Sequence, residues 1–340
     1  MKVCHILASD GYGGLEKHVL ELSHALQGEG IDITIIAPKR YQEDFSKLRF
    51  IPLNLKRSRK NPILLLQLYR ILKRENFDVV HAQANKATDM LATLKPFLSC
   101  KIIATLHNYK KHIKSFLKVD HVITVSDRIG EKLVTKNKTT IYNGIQVGSV
   151  KKKDLRLEYG LPSESFVLCA VGRFVKAKGF DMLIESMQYV DKNVYLFLIG
   201  DGIYMNDLKE KVKKYHLDEK IIFLGNLSNQ QTKEMVKSSD VVVIPSRREG
   251  FSYVFAESLL LHIPLVSTDV ADIKKFITDK FIVPFDTHRL AEKICYIADN
   301  YNEVLKAYQT VFVTAEEEFS LEKMVQSTIG VYYKVLSNNR

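Results

Sequence analysis

The chain has 340 residues, 46% of them hydrophobic and 26% charged, and a net charge of +11, and this length suits two domains. The composition excludes a disordered or fibrous protein, and the apolar stretches are too short or too interrupted for a signal peptide or a membrane-spanning helix. Four well-separated cysteines without a paired motif exclude a disulfide framework and indicate a reducing compartment, so we expect a cytoplasmic protein.

Apolar strand-like runs alternate with helical stretches along the chain, a pattern typical of βα units and parallel sheets. The first series of predicted strands is 2–8, 32–37, 49–53, 78–83, 101–106, 121–126 and 139–142, and the second is 166–172, 194–199, 221–224, 241–245, 264–267 and 281–283. Two such series predict an α/β fold with two doubly wound domains, residues 1–150 and 165–318, separated by a polar linker. A closing helix is expected within 319–340, with the amino-terminal domain as a candidate surface for its packing.

The excess of positive charge lies entirely in residues 1–150, which hold 24 Lys and Arg against 13 Asp and Glu. Two clusters stand out: residues 56–60, followed by the apolar segment 62–72, and Lys110, Lys111, Lys114 and Lys118, which surround Phe116 and Leu117. We expect a surface that binds anionic lipid, with these apolar side chains inserted, and hence peripheral attachment to the cytoplasmic face of the inner membrane. A solvated basic face is the alternative. Nucleic acid is a weaker one, because no nucleic-acid-binding motif accompanies the charge.

A glycine-rich loop, residues 9–16, follows the first predicted strand and opens a helix. It is close to a dinucleotide-binding fingerprint but fails as one, because Glu16 stands where the third glycine is needed and no acidic residue closes the second strand. Gly13 and Gly14 can still let the backbone approach a phosphate or a sugar. Ordinary turn chemistry is the alternative.

In the second half, Gly172 and Arg173 follow the first predicted strand and Lys178 comes shortly after them. A guanidinium fork and an ammonium at the carboxyl edge of a sheet suit a diphosphate whose charge grows as it leaves. The loop around Asp201 follows the next strand at the same edge, so the loops together outline a nucleotide pocket. For each cation alone, a solvated loop is the alternative.

The most informative spacing is that of Glu249 and Glu257, which seven residues separate at a predicted strand-to-helix junction. Such junctions bind ligands in open α/β sheets, and the free N–H groups at the helix mouth, in Gly250, Phe251 and Ser252, suit phosphate or hydroxyl oxygens. The carboxylates suit the hydroxyls of a ribose and a hexose. Apolar neighbours predict that Glu257 is buried and needs a partner, whereas Glu249 could also be a loop acid favoured by the helix dipole.

Taken together, these motifs resemble a retaining glycosyltransferase of family 4 with the GT-B fold, from residue 2 to about residue 270. The resemblance is carried by Gly13-Gly14, His107, Asn143-Gly144-Ile145, Gly172-Arg173, Lys178-Gly179, Gly200-Asp201-Gly202, Phe223-Leu224-Gly225, Pro245-Ser246 and the pair Glu249 and Glu257. It implies two Rossmann-like domains facing across a cleft, the first binding the acceptor and the second the NDP-sugar donor.

The resemblance also implies roles for single residues. Glu257 would hold the donor ribose, Glu249 and His107 the donor sugar, and Arg173 and Lys178 the diphosphate. Without the resemblance, His107 is equally well explained as a structural histidine.

The sequence departs from the family pattern at three places. Asn108 stands where the family commonly has an aspartate, 270–272 replaces a frequent Gly-Gly, and Ser252 replaces a frequent glycine. A role that depends on the missing carboxylate is therefore absent.

The expected reaction is a hexose transfer without a metal. The sequence holds no Asp-x-Asp and no cluster with metal-ligand spacing, so we expect no metal and no cofactor beyond the sugar nucleotide. We predict transfer from an NDP-sugar, favouring a UDP-hexose, to a hydroxyl of a glycan or lipid-linked acceptor in bacterial lipopolysaccharide, O-antigen or capsule synthesis. The candidate catalytic residues are His107, Arg173, Lys178 and Glu249. A sugar-nucleotide epimerase or a glycosyl phosphorylase is the alternative, and a non-enzymatic nucleic-acid-binding protein a weaker one.

Overall fold

The computed structural model describes residues 1–11, 13–109 and 113–337. The chain forms two compact units: unit 1 comprises Met1–Ile145 and Phe319–Arg340, and unit 2 comprises Gln146–Glu318. Each unit has its own parallel sheet with helices, so the predicted α/β fold with two Rossmann-like domains is confirmed. No helix in the described part of the chain combines the length and the hydropathy that a bilayer span requires.

The strands of both sheets follow the apolar runs of the sequence. They are β1 (Lys2–Leu7), β2 (Asp32–Ala37), β3 (Arg49–Pro52), β4 (Val79–Gln83), β5 (Lys101–Leu106), β6 (His121–Thr124), β7 (Lys138–Thr140), β8 (Phe166–Val171), β9 (Val194–Ile199), β10 (Ile221–Gly225), β11 (Val241–Ile244), β12 (Leu265–Thr268) and β13 (Ile282–Val283). The sheet of unit 1 has the order β3-β2-β1-β4-β5-β6-β7 and that of unit 2 the order β10-β9-β8-β11-β12-β13. Central strands such as β4 are buried along their whole length, because helices cover both faces of a parallel sheet.

The helices connect these strands and cover the sheets. They are α1 (Gly14–Gly28), α2 (Pro62–Glu75), α3 (Ala84–Leu94), α4 (Asp127–Gly130), α5 (Leu155–Glu158), α6 (Phe180–Ser186), α7 (Met205–Lys214), α8 (Asn229–Ser238), α9 (Tyr253–Leu260), α10 (Thr287–Asp299), α11 (Tyr301–Glu318) and α12 (Leu321–Ser337). Local signals fix several starts: the Asn61 side chain accepts a hydrogen bond from the Leu64 N–H before α2, and Ser228 and Gln231 form a capping box at α8.

The carboxy-terminal helix α12 packs within unit 1, against α1. Its buried face carries Met324, Val325, Val331, Tyr332 and Val335, which join the core of the unit-1 sheet. The adjacent Tyr333 also fits the helical spacing of the apolar residues, but its side chain is 58% exposed. Successive residues of a helix point about 100° apart, so only one of the two adjacent tyrosines can face the core.

A buried polar network fixes α12 to the sheet. The Tyr332 hydroxyl lies 2.9 Å from His5 Nε2 and 2.7 Å from His81 Nδ1. The second nitrogens of these rings bond to Ser23 Oγ at 2.8 Å and Thr105 Oγ1 at 2.6 Å. Burial lowers the pKa of His5 to about 3 and that of His81 well below its ordinary value, so both rings are neutral at physiological pH.

The chain leaves unit 1 and returns to it at one place. Ile145 N–H donates to the Phe319 carbonyl at 2.9 Å, and a Cβ on Gly144 would lie 2.6 Å from the Ser320 carbonyl oxygen. A larger residue than glycine would therefore push the returning segment away, which gives the Asn143-Gly144-Ile145 motif a structural reason.

The segment between the two predicted domains belongs to unit 2, which begins at residue 146 rather than at 165. Lys233 Nζ of α8 donates to the Gln146 carbonyl at 2.8 Å, and Ser238 Oγ of the same helix accepts from Lys153 N–H at 2.8 Å. These contacts attach the predicted linker to α8.

We expect Tyr332→Phe to lower the free energy of unfolding by about 1–3 kcal/mol, because it leaves one buried nitrogen on each of His5 and His81 without its hydrogen bond. Urea denaturation measures the loss. Tyr333→Phe removes the same hydroxyl from an exposed ring and should have almost no effect. Equal losses in the two variants would contradict the role of the network.

Candidate functional site

The loops that the sequence analysis singled out in the second half gather at the carboxyl edge of the unit-2 sheet. The strand order reverses between β8 and β11, because β9 and β10 are added on one side of β8 and β11 on the other. Ligands of open α/β sheets bind at such a switch point. The loops after β8 and β11, residues 172–179 and 245–252, flank it, and the loop after β9, residues 200–204, lies next to them.

Lys178 and Glu249 meet at this switch point. Lys178 Nζ lies 2.5 Å from Glu249 Oε1, and Ser246 Oγ donates to the same oxygen at 2.7 Å. The Glu249 side chain is 9% exposed and that of Lys178 is 22% exposed, so the pair is largely shielded from water. The family resemblance implied that these two residues hold different parts of a ligand, and nothing in the sequence indicated that they pair with each other. The two remaining N–H groups of the ammonium can still donate to an anion.

Gly179 makes the meeting possible. It adopts φ +70°, and a Cβ there would lie 1.9 Å from the Pro245 carbonyl oxygen. Only glycine allows the loop after β8 to approach the end of β11 this closely. The approach brings Lys178, one residue earlier, to Glu249.

Arg247 holds the same two loops together, and the sequence analysis missed it. Its backbone N–H donates to the Ala177 carbonyl at 2.8 Å, and its guanidinium donates two hydrogen bonds of 2.7 Å to the carboxylate of Asp181. The guanidinium also lies over the Phe285 ring, 4.1 Å from its centroid. Burial acts to raise the pKa of Asp181, but Arg247 outweighs it and holds that pKa below its ordinary value. The signal in the sequence was a cation two residues before Glu249.

The helix after β11 begins where the sequence indicated. Ser252 is the N-cap of α9, and its side chain accepts from the Phe255 N–H at 3.4 Å. The helical residues that follow are Tyr253–Leu260. Glu257 lies in its second turn and is 7% exposed, so the prediction that it is buried is confirmed. Gly250 is buried and Phe251 half-buried in the loop that enters the helix.

The Arg173 side chain is exposed, and it forms no hydrogen bond or ion pair with the side chains that the structure describes. The loop carrying it is tightly packed: a Cβ on Gly200 would lie 2.0 Å from the Gly172 carbonyl oxygen. Asp201 is exposed, and its Oδ1 accepts from the Gly202 N–H at 2.7 Å. The edge therefore offers an available guanidinium, an ammonium and a helix N-terminus, a set that can bind a diphosphate.

The candidate residues of the first half lie in unit 1. Gly13 and Gly14 open α1 after β1, and His107 follows β5, with its Nε2 2.9 Å from Gln83 Oε1. His18 of α1 packs edge-on against His107, with ring centroids 4.8 Å apart.

The cluster of lysines is described only in part, because Lys110 and Lys111 lie outside the described residues. Lys114 and Lys118 are exposed on the turn Lys114–Lys118. Leu117 between them is 49% exposed, but Phe116 is 1% exposed, so the expectation that Phe116 inserts into lipid is wrong. On a short helical turn, one of two adjacent apolar side chains faces the protein interior.

The described residues also include a cavity of about 270 Å³ between α6 and α7. Phe174, Phe180 and Leu208 line it, whereas neither carboxylate of the acidic pair does. Among the side chains described, no group of three His, Cys, Asp or Glu is arranged to hold a metal ion. The pair of Lys178 and Glu249 therefore lies outside this cavity.

Two family models match the chain, one described as Glycosyltransferase Family 4 over residues 12–148 and one described as Glycosyl transferases group 1 over residues 151–310. The chain belongs to the family 4 glycosyltransferases. Its relatives include the O-antigen biosynthesis glycosyltransferase WclY of Escherichia coli, which is 27% identical over 76% of this chain and 79% of WclY. A UDP-Gal:alpha-D-GlcNAc-diphosphoundecaprenol alpha-1,3-galactosyltransferase of Escherichia coli is 25% identical over 79% of this chain and 80% of its own length.

The fold of this glycosyltransferase is also that of solved structures. Anabaena HepE in complex with UDP-glucose matches it with a TM-score of 0.83 over 99% of this chain and 100% of HepE, at 17% identity. At this identity the likeness concerns the fold alone. The GT-B fold that the resemblance implied is thereby confirmed.

We expect Gly179→Ala to lower the free energy of unfolding by about 3 kcal/mol or more, because the new methyl group would collide with the Pro245 carbonyl as well as strain the backbone. Gly160→Ala is the matched control, since Gly160 has φ +63° and an added Cβ there would meet nothing within 4 Å beyond its chain neighbours. Gly160→Ala should lower the free energy of unfolding only by the backbone strain, about 1–2 kcal/mol. Chemical denaturation that gave equal losses would show that the close approach is unimportant.

Proposed function

We propose that this glycosyltransferase transfers a hexose from a UDP-sugar to a hydroxyl acceptor, without a metal ion and with retention of the anomeric configuration. The observation that carries the proposal is the meeting of Lys178 and Glu249 at the switch point, beside Arg173 and the mouth of α9. A relative named as a UDP-Gal-dependent galactosyltransferase and a structural neighbour bound to UDP-glucose support the choice of donor.

The cations of the unit-2 edge take the place of a metal in this proposal. Arg173 and Lys178 bind the diphosphate together with the N–H groups at the start of α9, and they stabilise the negative charge that grows as UDP leaves. Glu249 orients the Lys178 ammonium and accepts a hydrogen bond from a hydroxyl of the donor sugar. Glu257 accepts hydrogen bonds from the ribose hydroxyls.

Retention follows from attack on the face from which UDP leaves. The acceptor oxygen forms a bond to the anomeric carbon, the bond from that carbon to the diphosphate oxygen breaks, and the acceptor proton passes to the departing diphosphate oxygen. This route needs no protein base. Glu249 is accordingly not needed as a base, and its Oε1 already accepts hydrogen bonds from Lys178 and Ser246.

The acceptor that we propose is a lipid-linked or anionic glycan of bacterial surface polysaccharide synthesis, at the cytoplasmic face of the inner membrane. WclY is named for O-antigen biosynthesis, and the galactosyltransferase relative for a diphosphoundecaprenol acceptor. The basic excess of residues 1–150 and the exposed Lys114, Leu117 and Lys118 support contact with anionic lipid.

Donor binding tests the site. We expect UDP and UDP-hexoses to raise the melting temperature, and Lys178→Gln and Glu257→Gln each to weaken UDP affinity at least about tenfold, since each loses a charged hydrogen bond worth about 1.5–3 kcal/mol. Calorimetric titration measures the affinities. Lys176→Gln is the control, because Lys176 is an exposed cation of the same turn, Lys176–Lys178.

Product analysis separates the alternatives. A proton NMR spectrum of the glycoside should show the anomeric configuration of the donor, and inversion would rule out the same-face route. An epimerised sugar nucleotide formed without acceptor would identify an epimerase, and a requirement for orthophosphate a phosphorylase. A melting temperature raised by nucleic acid and by no sugar nucleotide would refute the whole proposal.

Lipid binding tests the acceptor environment. Vesicles containing phosphatidylglycerol should sediment the protein in a salt-sensitive manner, and the double variant Lys114→Gln/Lys118→Gln should weaken binding by about 2 kcal/mol, at about 1 kcal/mol for each lysine. Lys151→Gln/Lys152→Gln makes the same charge change on exposed lysines of unit 2 and should have little effect. Equal binding to neutral phosphatidylcholine vesicles would overturn the idea.

A further inference from the structure

Gln83 and His107 form a pair at the carboxyl edge of the unit-1 sheet. Gln83 is the last residue of β4, His107 follows the neighbouring strand β5, and their Oε1 and Nε2 atoms are 2.9 Å apart. The Gln83 side chain is almost fully buried, with the residue 1% exposed. A carboxamide oxygen can only accept a hydrogen bond, so His107 Nε2 carries the proton.

The opposite nitrogen of His107 is then a lone-pair acceptor. Burial lowers the pKa of His107 well below its ordinary value, with a smaller contribution from His18, so the ring is neutral at physiological pH. A neutral ring with a proton on Nε2 has none on Nδ1. The side chains that the structure describes give Nδ1 no hydrogen-bond partner, and His107 itself is only partly buried.

The surroundings fix the ring in this orientation. His18 is 4% exposed and packs edge-on against His107 at an interplanar angle of 72°. Burial lowers the pKa of His18 to about 4, so the neighbour adds no positive charge. Gln83 Nε2 is buried and has no hydrogen-bond partner among the described residues. Among these residues, the Gln83 carboxamide therefore bonds to a single side chain, that of His107.

We propose that Gln83 is a positioning residue, which holds His107 as the neutral Nε2–H tautomer so that Nδ1 accepts a hydrogen bond from a sugar hydroxyl. The ligand is an uncharged hydroxyl donor, and an anionic group is disfavoured at this position because the ring offers it neither a proton nor a charge. This inference rests on the proposed function for the nature of the ligand, but the tautomer does not depend on it.

The tautomer can be read without any substrate. In protein labelled with ¹⁵N-histidine, the His107 signals, assigned by their loss in His107→Asn, should show a protonated Nε2 and an unprotonated Nδ1 at neutral pH. A proton on Nδ1, or a cationic ring, would overturn the proposal. This measurement uses the wild-type protein and therefore does not depend on the folding of a variant.

Gln83→Leu tests the consequence for function. It should mix the tautomers of His107 and lower kcat/KM for hexose transfer about five- to tenfold, as expected for one hydrogen bond. Gln83→Glu keeps an acceptor oxygen and should keep the proton on Nε2, while its negative charge raises the pKa of His107, which the same spectra measure. Gln27→Leu, an exposed glutamine of the same unit, should change neither. An altered tautomer with unchanged kcat/KM would overturn the role of Nδ1.

Binding data identify the source of the hydroxyl. If it belongs to the donor, Gln83→Leu should weaken binding of a UDP-hexose and leave binding of UDP unchanged. If the hydroxyl belongs to the acceptor, the affinities for UDP-hexose and UDP should both stay unchanged, and only kcat/KM for transfer should fall. If the protein transfers no sugar but His107 is the Nε2–H tautomer, the proposed function is refuted and the role of Gln83 in fixing the tautomer is not.

Discussion

The close approach of Gly179 to the Pro245 carbonyl is the constraint on which the candidate site depends. The loops after β8 and β11 come from strands that are about 70 residues apart in sequence but adjacent in the sheet. Only glycine fits at this contact, and the contact brings the two loops close enough for Lys178 to reach Glu249. Arg247 adds a second link through Ala177 and Asp181. The charged groups are therefore fixed before a ligand binds, which reduces the entropy lost on binding.

This arrangement balances the charges of the edge. A lysine and a glutamate that are both shielded from water would each pay a desolvation cost alone, and pairing offsets much of it. The exposed guanidinium of Arg173, in contrast, has no partner among the described side chains. In the proposed function, a diphosphate meets Arg173, which has no such partner, and Lys178, whose position is set by Glu249. Such preorganisation is what allows fixed charges to stabilise a leaving group.

Much of the fold could be predicted from the sequence, because buried parallel strands appear in it as continuous apolar runs. Each predicted strand is observed, with ends shifted by a residue or two. Side-chain partners were less accessible. The pattern could not choose between Tyr332 and Tyr333, because both fit the helical spacing, and it could not show that Phe116 faces inward. Arg247 was missed because its partner, Asp181, is remote in sequence.

The charge of the molecule also has two separate locations with different consequences. Residues 1–150 carry the whole net excess, yet His18, Gln83 and His107 at the carboxyl edge of their sheet are neutral. Unit 2 has nearly balanced charge, yet it places cations at its edge. The basic excess of the first half includes exposed lysines such as Lys114 and Lys118, which support the proposed contact with anionic lipid. The neutral Gln83 and His107 suit the uncharged hydroxyl that we propose as their ligand.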